Sequence, residues 1–205
     1  MDEEAVFEYL RDGVWATSFS SHYNHTRHCL NKYKKTIKRI AKREDELRKD
    51  SSIEAEFLEL YVTESTRKLH EEAYFYGTSV KIYACMTIEG FVNYYGTKRL
   101  GETFYKSNIE RIGITEKISI LLLLLFNTSL KKDNPKLKLI RNLFDARNAL
   151  VHPKTKELDI KNIENYLYKH PKDLNIETTY NSLEDLINYL CSLDKDISRE
   201  IYFKK

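Results

Sequence analysis

Leu30, Tyr33, Ile37, Ile40 and Leu47 fall three, four or seven residues apart. That spacing keeps side chains on one face of an α-helix and scatters them over both faces of a strand. It predicts a long helix from about Ser21 to Lys49. Little in the rest of the chain interrupts such structure: its 205 residues include six glycines and three prolines, with strong helix formers throughout. The expected fold class is all-α, in a single domain over residues 1–205 that is large enough to bury a core without disulfides or a structural metal.

"SSIE", Ser51 to Glu54, reads as a capping box opening a second helix, so that residues 20–76 form a long N-terminal helical hairpin. Gly77 is expected to bend that helix, and a further segment continues from Thr78 to Tyr95. Gly96, Gly101 and Gly113 punctuate a region with a short helix between them, and Thr115 starts a leucine-rich helix. Asn134 and Pro135 open the next one, completing a motif-bearing core over residues 78–153. Residues 153–181 are polar and read as irregular, and "SLED", Ser182 to Asp185, begins a final amphipathic helix over residues 182–203.

Three widely spaced cysteines, Cys29, Cys85 and Cys191, suggest neither a disulfide framework nor a zinc cluster and fit a reducing cytoplasm. The N-terminus, "MDEEAVFEYL", is acidic where a signal peptide is basic. The apolar run Ile120 to Phe126 is far short of the roughly 20 residues that span a bilayer. The expectation is a soluble cytoplasmic protein with no membrane partner, the leucine run being a buried helix. A net charge of +3 does not by itself argue for nucleic acid, but its distribution is uneven. From Lys131 to Lys156 there are eight Lys or Arg against two Asp, and Lys32 to Arg43 contains no acid. Either cluster alone also fits a solvated helix face.

The stretch "FDARNALVHPK", Phe144 to Lys154, lies within the first of these clusters. At about 100° per residue, Leu139, Ile140, Leu143, Phe144, Leu150 and Val151 form an apolar stripe, and Arg147 falls inside it. A charge on a core-facing stripe costs several kcal/mol unless it meets a carboxylate or opens onto a cleft that takes an anion. Glu89 is the candidate carboxylate: it sits in an apolar helix one turn after Cys85, shares a face with Asn93 and is expected to be buried. His152 directly precedes Pro153, so the helix should end at about Val151 and leave the imidazole free beside a helix C-terminus. An arginine and an imidazole within one turn suit phosphodiester chemistry, the one for charge on phosphorus oxygens and the other for moving a proton.

These residues resemble a known family. "RNALVH", Arg147 to His152, resembles the R-X4-6-H motif of the HEPN superfamily (higher eukaryotes and prokaryotes nucleotide-binding), with Asn148 as the polar residue that commonly follows the arginine. "IEGFVN", Ile88 to Asn93, resembles the acidic-plus-asparagine helix of many members. The resemblance covers roughly Ser79 to Pro153. It implies a helical bundle acting as a metal-independent endoribonuclease without a cofactor, usually a homodimer that brings two motifs into one cleft. By that analogy His152 helps move protons as the ribose 2′-OH attacks phosphorus, leaving a 2′,3′-cyclic phosphate and a 5′-OH. Arg147 stabilises the transition-state phosphate, Asn148 orients the phosphate or His152, and Glu89 and Asn93 support them. Lys138, Arg141, Lys154 and Lys156 are the candidate RNA contacts. Members serve as toxins, phage-defence effectors or RNA-processing factors, which makes an antitoxin or a defence-system component a candidate partner.

Two other readings stay open on the residues alone. The same fold can bind RNA or nucleotides without cutting, and a helical interaction protein can use Arg147 and Glu89 as a structural pair. Other signals carry less. His22, His25, His28 and Cys29 do not converge on one helix face, and the histidines read as surface residues rather than metal ligands, while the 15 tyrosines fall mostly on apolar stripes. No glycine-rich phosphate loop, nucleophile elbow or zincin motif is present.

Overall fold

The computed structural model describes residues 6–10, 13–17, 19–131, 133–152 and 170–200. The fold class is all-α. Among the described residues the one departure is a small antiparallel hairpin, β1 (Val6–Leu10) with β2 (Gly13–Thr17), in which Val6 pairs with Thr17 and Leu10 with Gly13. Aromatic and β-branched residues favour extended backbone in both segments. Helix α1 (Phe19–Arg48) buries Phe19, Tyr23, Thr26, Cys29, Leu30, Tyr33, Thr36, Ile40 and Leu47, a stripe at three- and four-residue steps.

Helix α2 (Leu58–Leu100) is 43 residues in one piece, roughly 65 Å long. It lies antiparallel to α1. Arg48 pairs with Glu59, Arg39 with Glu72 at 3.1 Å, His25 stacks on Tyr83 and Phe19 meets Phe91 edge-on, so α2 numbers rise as α1 numbers fall. The exposed ion pairs add little, and the buried stripe between the helices does the holding. The helical hairpin departs from the sequence expectations at three points. The Ser51–Glu54 capping box opens no helix, because Asp50 Oδ1 takes the Ser52 N–H at 3.0 Å and the Ser52 hydroxyl at 2.6 Å in a local turn. Gly77 does not bend α2: it is buried where a β-carbon would come within 2.8 Å of Leu174 Cδ1. Gly96 likewise lies inside the helix, under the ring of Tyr105.

The second half of α2 carries the larger core. Cys85, Ile88, Phe91, Val92 and Tyr95 pack with Tyr105 of α3 (Glu102–Asn108), with Ile118, Leu121 and Leu122 of α4 (Ile114–Phe126), and with Leu137, Ile140 and Leu143 of α5 (Pro135–Val151). Leu183, Leu186, Ile187 and Leu190 of α6 (Ile176–Leu193) and Ile197 of α7 (Lys195–Glu200) complete it. A smaller cluster of Cys29, Leu30, Tyr33, Ile40, Ala73, Val80 and Ile176 joins α1 to the first half of α2. The leucine run is only half buried, since an unbroken apolar run covers more of a helix than its neighbours can: Leu121 and Leu122 face the core, Leu123 and Leu124 face out. No helix of the described residues is long and apolar enough to cross a membrane.

The C-terminal region also departs from expectation. Helix α6 starts at Ile176, after a 3-10 turn (Pro171–Leu174), and the Ser182 hydroxyl bonds back to the Thr178 carbonyl at 2.8 Å as a mid-helix serine does. It stops at Leu193 because Asp194 Oδ1 caps α7 through the N–H groups of Asp196 and Ile197. Residues 201–203 lie outside the described residues.

Asp194 also accepts Arg99 Nε at 2.6 Å, Arg99 Nη2 at 3.0 Å and the Tyr95 hydroxyl at 3.1 Å, tying the end of α2 to the α6–α7 junction. Burial alone would push its carboxyl up, but the Arg99 hydrogen bonds, the Ile197 N–H and the Tyr95 hydroxyl outweigh burial and hold it below the usual carboxylate range. The side chains are 25% and 13% exposed, Arg99 and Asp194 respectively, so Asp194→Ala is expected to cost about 1 to 3 kcal/mol in thermal or urea unfolding. Because the folded pKa is the lower one, this stabilisation is complete above the unfolded carboxyl's pKa of about 3.9 and is lost as pH falls through the folded value. A pH titration of stability should therefore show the wild-type advantage over Asp194→Ala shrinking below about pH 4.

Candidate active site

Helix α5 begins and ends where local chemistry directs. Asn134 caps it by accepting the Lys136 N–H at 3.0 Å, with Pro135 in the first turn. It ends at Val151, and His152 takes the capping position at φ −123° and ψ 67°, its N–H bonded to the Asn148 carbonyl at 2.8 Å. The buried stripe is narrower than the sequence suggests. Leu137, Ile140 and Leu143 are in the core, whereas Leu139 and Val151 are exposed.

Arg147 lies at the edge of this stripe, half-buried. Its Nη1 donates to Asn148 Oδ1 at 2.9 Å, while its Nε is buried with no hydrogen-bond partner. A buried donor left unpaired costs about 1 to 3 kcal/mol, a cost that an acceptor entering from the adjoining cavity would offset. Beside it is an open cavity of about 440 Å³, lined by Glu89 of α2, by Ile112 to Lys117 at the start of α4, and by Arg141, Phe144, Asp145, Arg147 and Asn148 of α5.

Glu89 is half-buried rather than sealed, and among the described residues it makes no ion pair with Arg147 within 4 Å. Both act on the Cys85 thiol, Arg147 lowering and Glu89 raising its pKa, but burial dominates and pushes that thiol up to about 12. Cys85 is therefore a packing residue, its Sγ donating to the Leu143 carbonyl at 3.7 Å. Asn93 is not part of the cavity wall. Its Oδ1 accepts the Tyr105 hydroxyl at 2.8 Å and Lys117 Nζ at 3.0 Å.

Lys117 is the residue the sequence reading missed. It is only 4% exposed, and burial lowers its pKa, opposed by the carboxylates of Glu89 and Glu110. A signal was available: Lys117 precedes Leu121 by one turn, on the helix face that enters the core. Arg141 reaches the cavity, whereas Lys138 is exposed and does not line it. Lys154 and Lys156 lie outside the described residues. His152 is exposed and is not among the lining residues, so one chain does not place its imidazole in the cavity.

No family model, curated protein or solved structure matches the chain.

The site must therefore be judged on its chemistry. Three cations, Lys117, Arg141 and Arg147, face three carboxylates, Glu89, Glu116 and Asp145, around one cavity. A wall of this kind does not suit a simple anion. It suits a ligand that offers acceptors to Arg147 and donors to Glu89, as a nucleotide does with its phosphate and its hydroxyl and amino groups.

Proposed function

We propose that the chain is a HEPN-type endoribonuclease that cuts RNA without a metal ion, at a site holding Arg147, Asn148 and His152 with Glu89, Asn93 and Lys117 in support. The observation that carries this reading is the buried, unpartnered Nε of Arg147 beside a cavity of nucleotide size. The arginine fork receives the scissile phosphate, Asn148 holds the fork, and Lys117 adds positive charge at the cavity wall. His152 takes or returns the proton as the 2′-OH attacks, giving a 2′,3′-cyclic phosphate and a 5′-OH. A second copy of the chain supplies or completes the site, since His152 of one chain stands outside its own cavity. A role as a toxin or defence effector, held in check by an antitoxin, belongs to the same proposal.

Arg147→Lys tests it. Lysine keeps the charge and much of the stem but loses the planar fork. Cleavage of a labelled RNA is expected to fall roughly a hundredfold or more, with the melting temperature held within about 2 °C. A loss of stability without loss of activity per folded molecule would instead make the arginine structural. One observation favours a second reading, binding of RNA or nucleotide without cleavage: the absence of His152 from the cavity wall. Single-turnover assays with end-group analysis separate the two, since only the nuclease leaves cyclic phosphate ends.

A further inference from the structure

Away from the cavity, three chain segments bring Glu44 of α1, His70 of α2 and His170, just before the 3-10 turn, to one place. One ligand atom from each lies within 4.8 Å of the others. His70 Nε2 is 3.5 Å from Glu44 Oε1, and the rings of His70 and His170 meet edge-on with centroids 4.8 Å apart. The side chains of His70 and Glu44 are 19% and 24% exposed, so the group is largely enclosed yet reachable from solvent. Among the described residues no lysine or arginine pairs with Glu44 within 4 Å.

We propose that Glu44, His70 and His170 form a binding site for a divalent transition-metal ion, zinc by the chemistry of its donors, with solvent completing the coordination. Two imidazoles and one carboxylate are a donor set that zinc accepts in tetrahedral geometry, with bonds near 2.0 to 2.2 Å and thus ligand atoms roughly 3.3 Å apart. The His70–Glu44 separation of 3.5 Å is already close to that value, and the third ligand atom, within 4.8 Å of the others, has at most roughly 1.5 Å to close. One existing contact must yield. His170 Nδ1 accepts the Lys172 N–H at 3.1 Å, which places the ring proton on Nε2, so coordination through either nitrogen gives up this cap. The Lys172 N–H is at the exposed surface and turns to water instead.

The site stands apart from the proposed nuclease centre, since His70 and Glu89 are roughly 28 Å apart along α2. A metal there cross-links α1, α2 and the segment leading into α6, which ties its binding to folding. This inference does not depend on the ribonuclease reading.

The test uses the full chain, freed of metal with a chelator. Co²⁺ should give the visible absorption of a tetrahedral nitrogen and oxygen site, and zinc competed against a chromophoric chelator should bind with one ion per chain. Saturating zinc, at about a hundredfold excess over Kd, should raise Tm by roughly 5 to 10 °C. His70→Gln, His170→Gln and Glu44→Gln should each weaken zinc binding about a hundredfold or more. Replacing the exposed His25 and His28 by glutamine should change nothing. Absence of the Co²⁺ bands from the wild-type chain overturns the proposal whether or not any variant folds. So does zinc binding that survives both His70→Gln and His170→Gln.

Discussion

Replacing His152 by alanine is expected to lower RNA cleavage by roughly a hundredfold to ten-thousandfold, the range a positioned proton-transfer group contributes, without disturbing the fold. Its side chain is exposed, and the bond that closes α5 comes from its backbone N–H, which alanine keeps. The melting temperature should therefore stay within about 2 °C of the wild type. The prediction also bears on assembly, because His152 does not line the cavity of its own chain. Sedimentation at micromolar concentration should show a dimer, and mixing Arg147→Lys with His152→Ala chains should restore part of the activity in heterodimers. A pure, folded His152→Ala protein that cuts RNA at the wild-type rate would sink the mechanism.

Gly96→Ala is expected to be the most damaging small substitution in the core. Alanine ordinarily gains up to about 1 kcal/mol over glycine inside a helix. Here its β-carbon would overlap the ring of Tyr105, which is fully buried and cannot swing into solvent. The clash decides the sign, and the expected net loss is about 1 to 3 kcal/mol, or roughly 3 to 10 °C in Tm for a chain of this size. Displacing the ring also pulls the Tyr105 hydroxyl from Asn93, which holds Lys117 at the cavity. Cleavage should therefore fall together with stability. Gly77→Ala provides the contrast, since its β-carbon meets the tip of the Leu174 side chain, which can rotate away. Equal melts for the two variants, or an unchanged melt for Gly96→Ala, would show that the ring has room to move.

Local chemistry made parts of this fold legible in the sequence. Both ends of α5 follow from a neighbouring proline, Pro135 inside its first turn and Pro153 after its last residue. Where reading failed, tertiary contacts or competing side chains had the final say. Gly77 and Gly96 look like breaks, yet each is a point of close approach to Leu174 or Tyr105. Asp50 engages Ser52 of "SSIE" in a local turn, and Ser182 of "SLED" sits within a helix already begun at Ile176. At the site, the helical period placed Arg147, Asn148 and Glu89 well enough that all three reach one cavity. The same period puts Lys117 one turn before Leu121 on the inward face of α4, but it could not show that Asn93 would accept its Nζ across the two helices. Nor could it show His70 and His170 meeting, because that contact depends on how the segment before α6 returns across α2.

The larger core is assembled from opposite ends of the chain, with Phe19 and the second half of α2 covered by Leu183, Leu186, Ile187 and Leu190. Synthesis proceeds from the N-terminus at about 5 to 20 residues per second. Helix α1 and the first half of α2 can pair while the ribosome is still working. Ile88, Phe91, Val92 and Tyr95, by contrast, wait roughly 5 to 20 s for the leucines of α6 to be made. Throughout that interval the nascent chain presents a greasy helix face that α3, α4 and α5 cover only in part as they emerge, and chaperone supply during translation becomes a determinant of how much protein reaches the folded state.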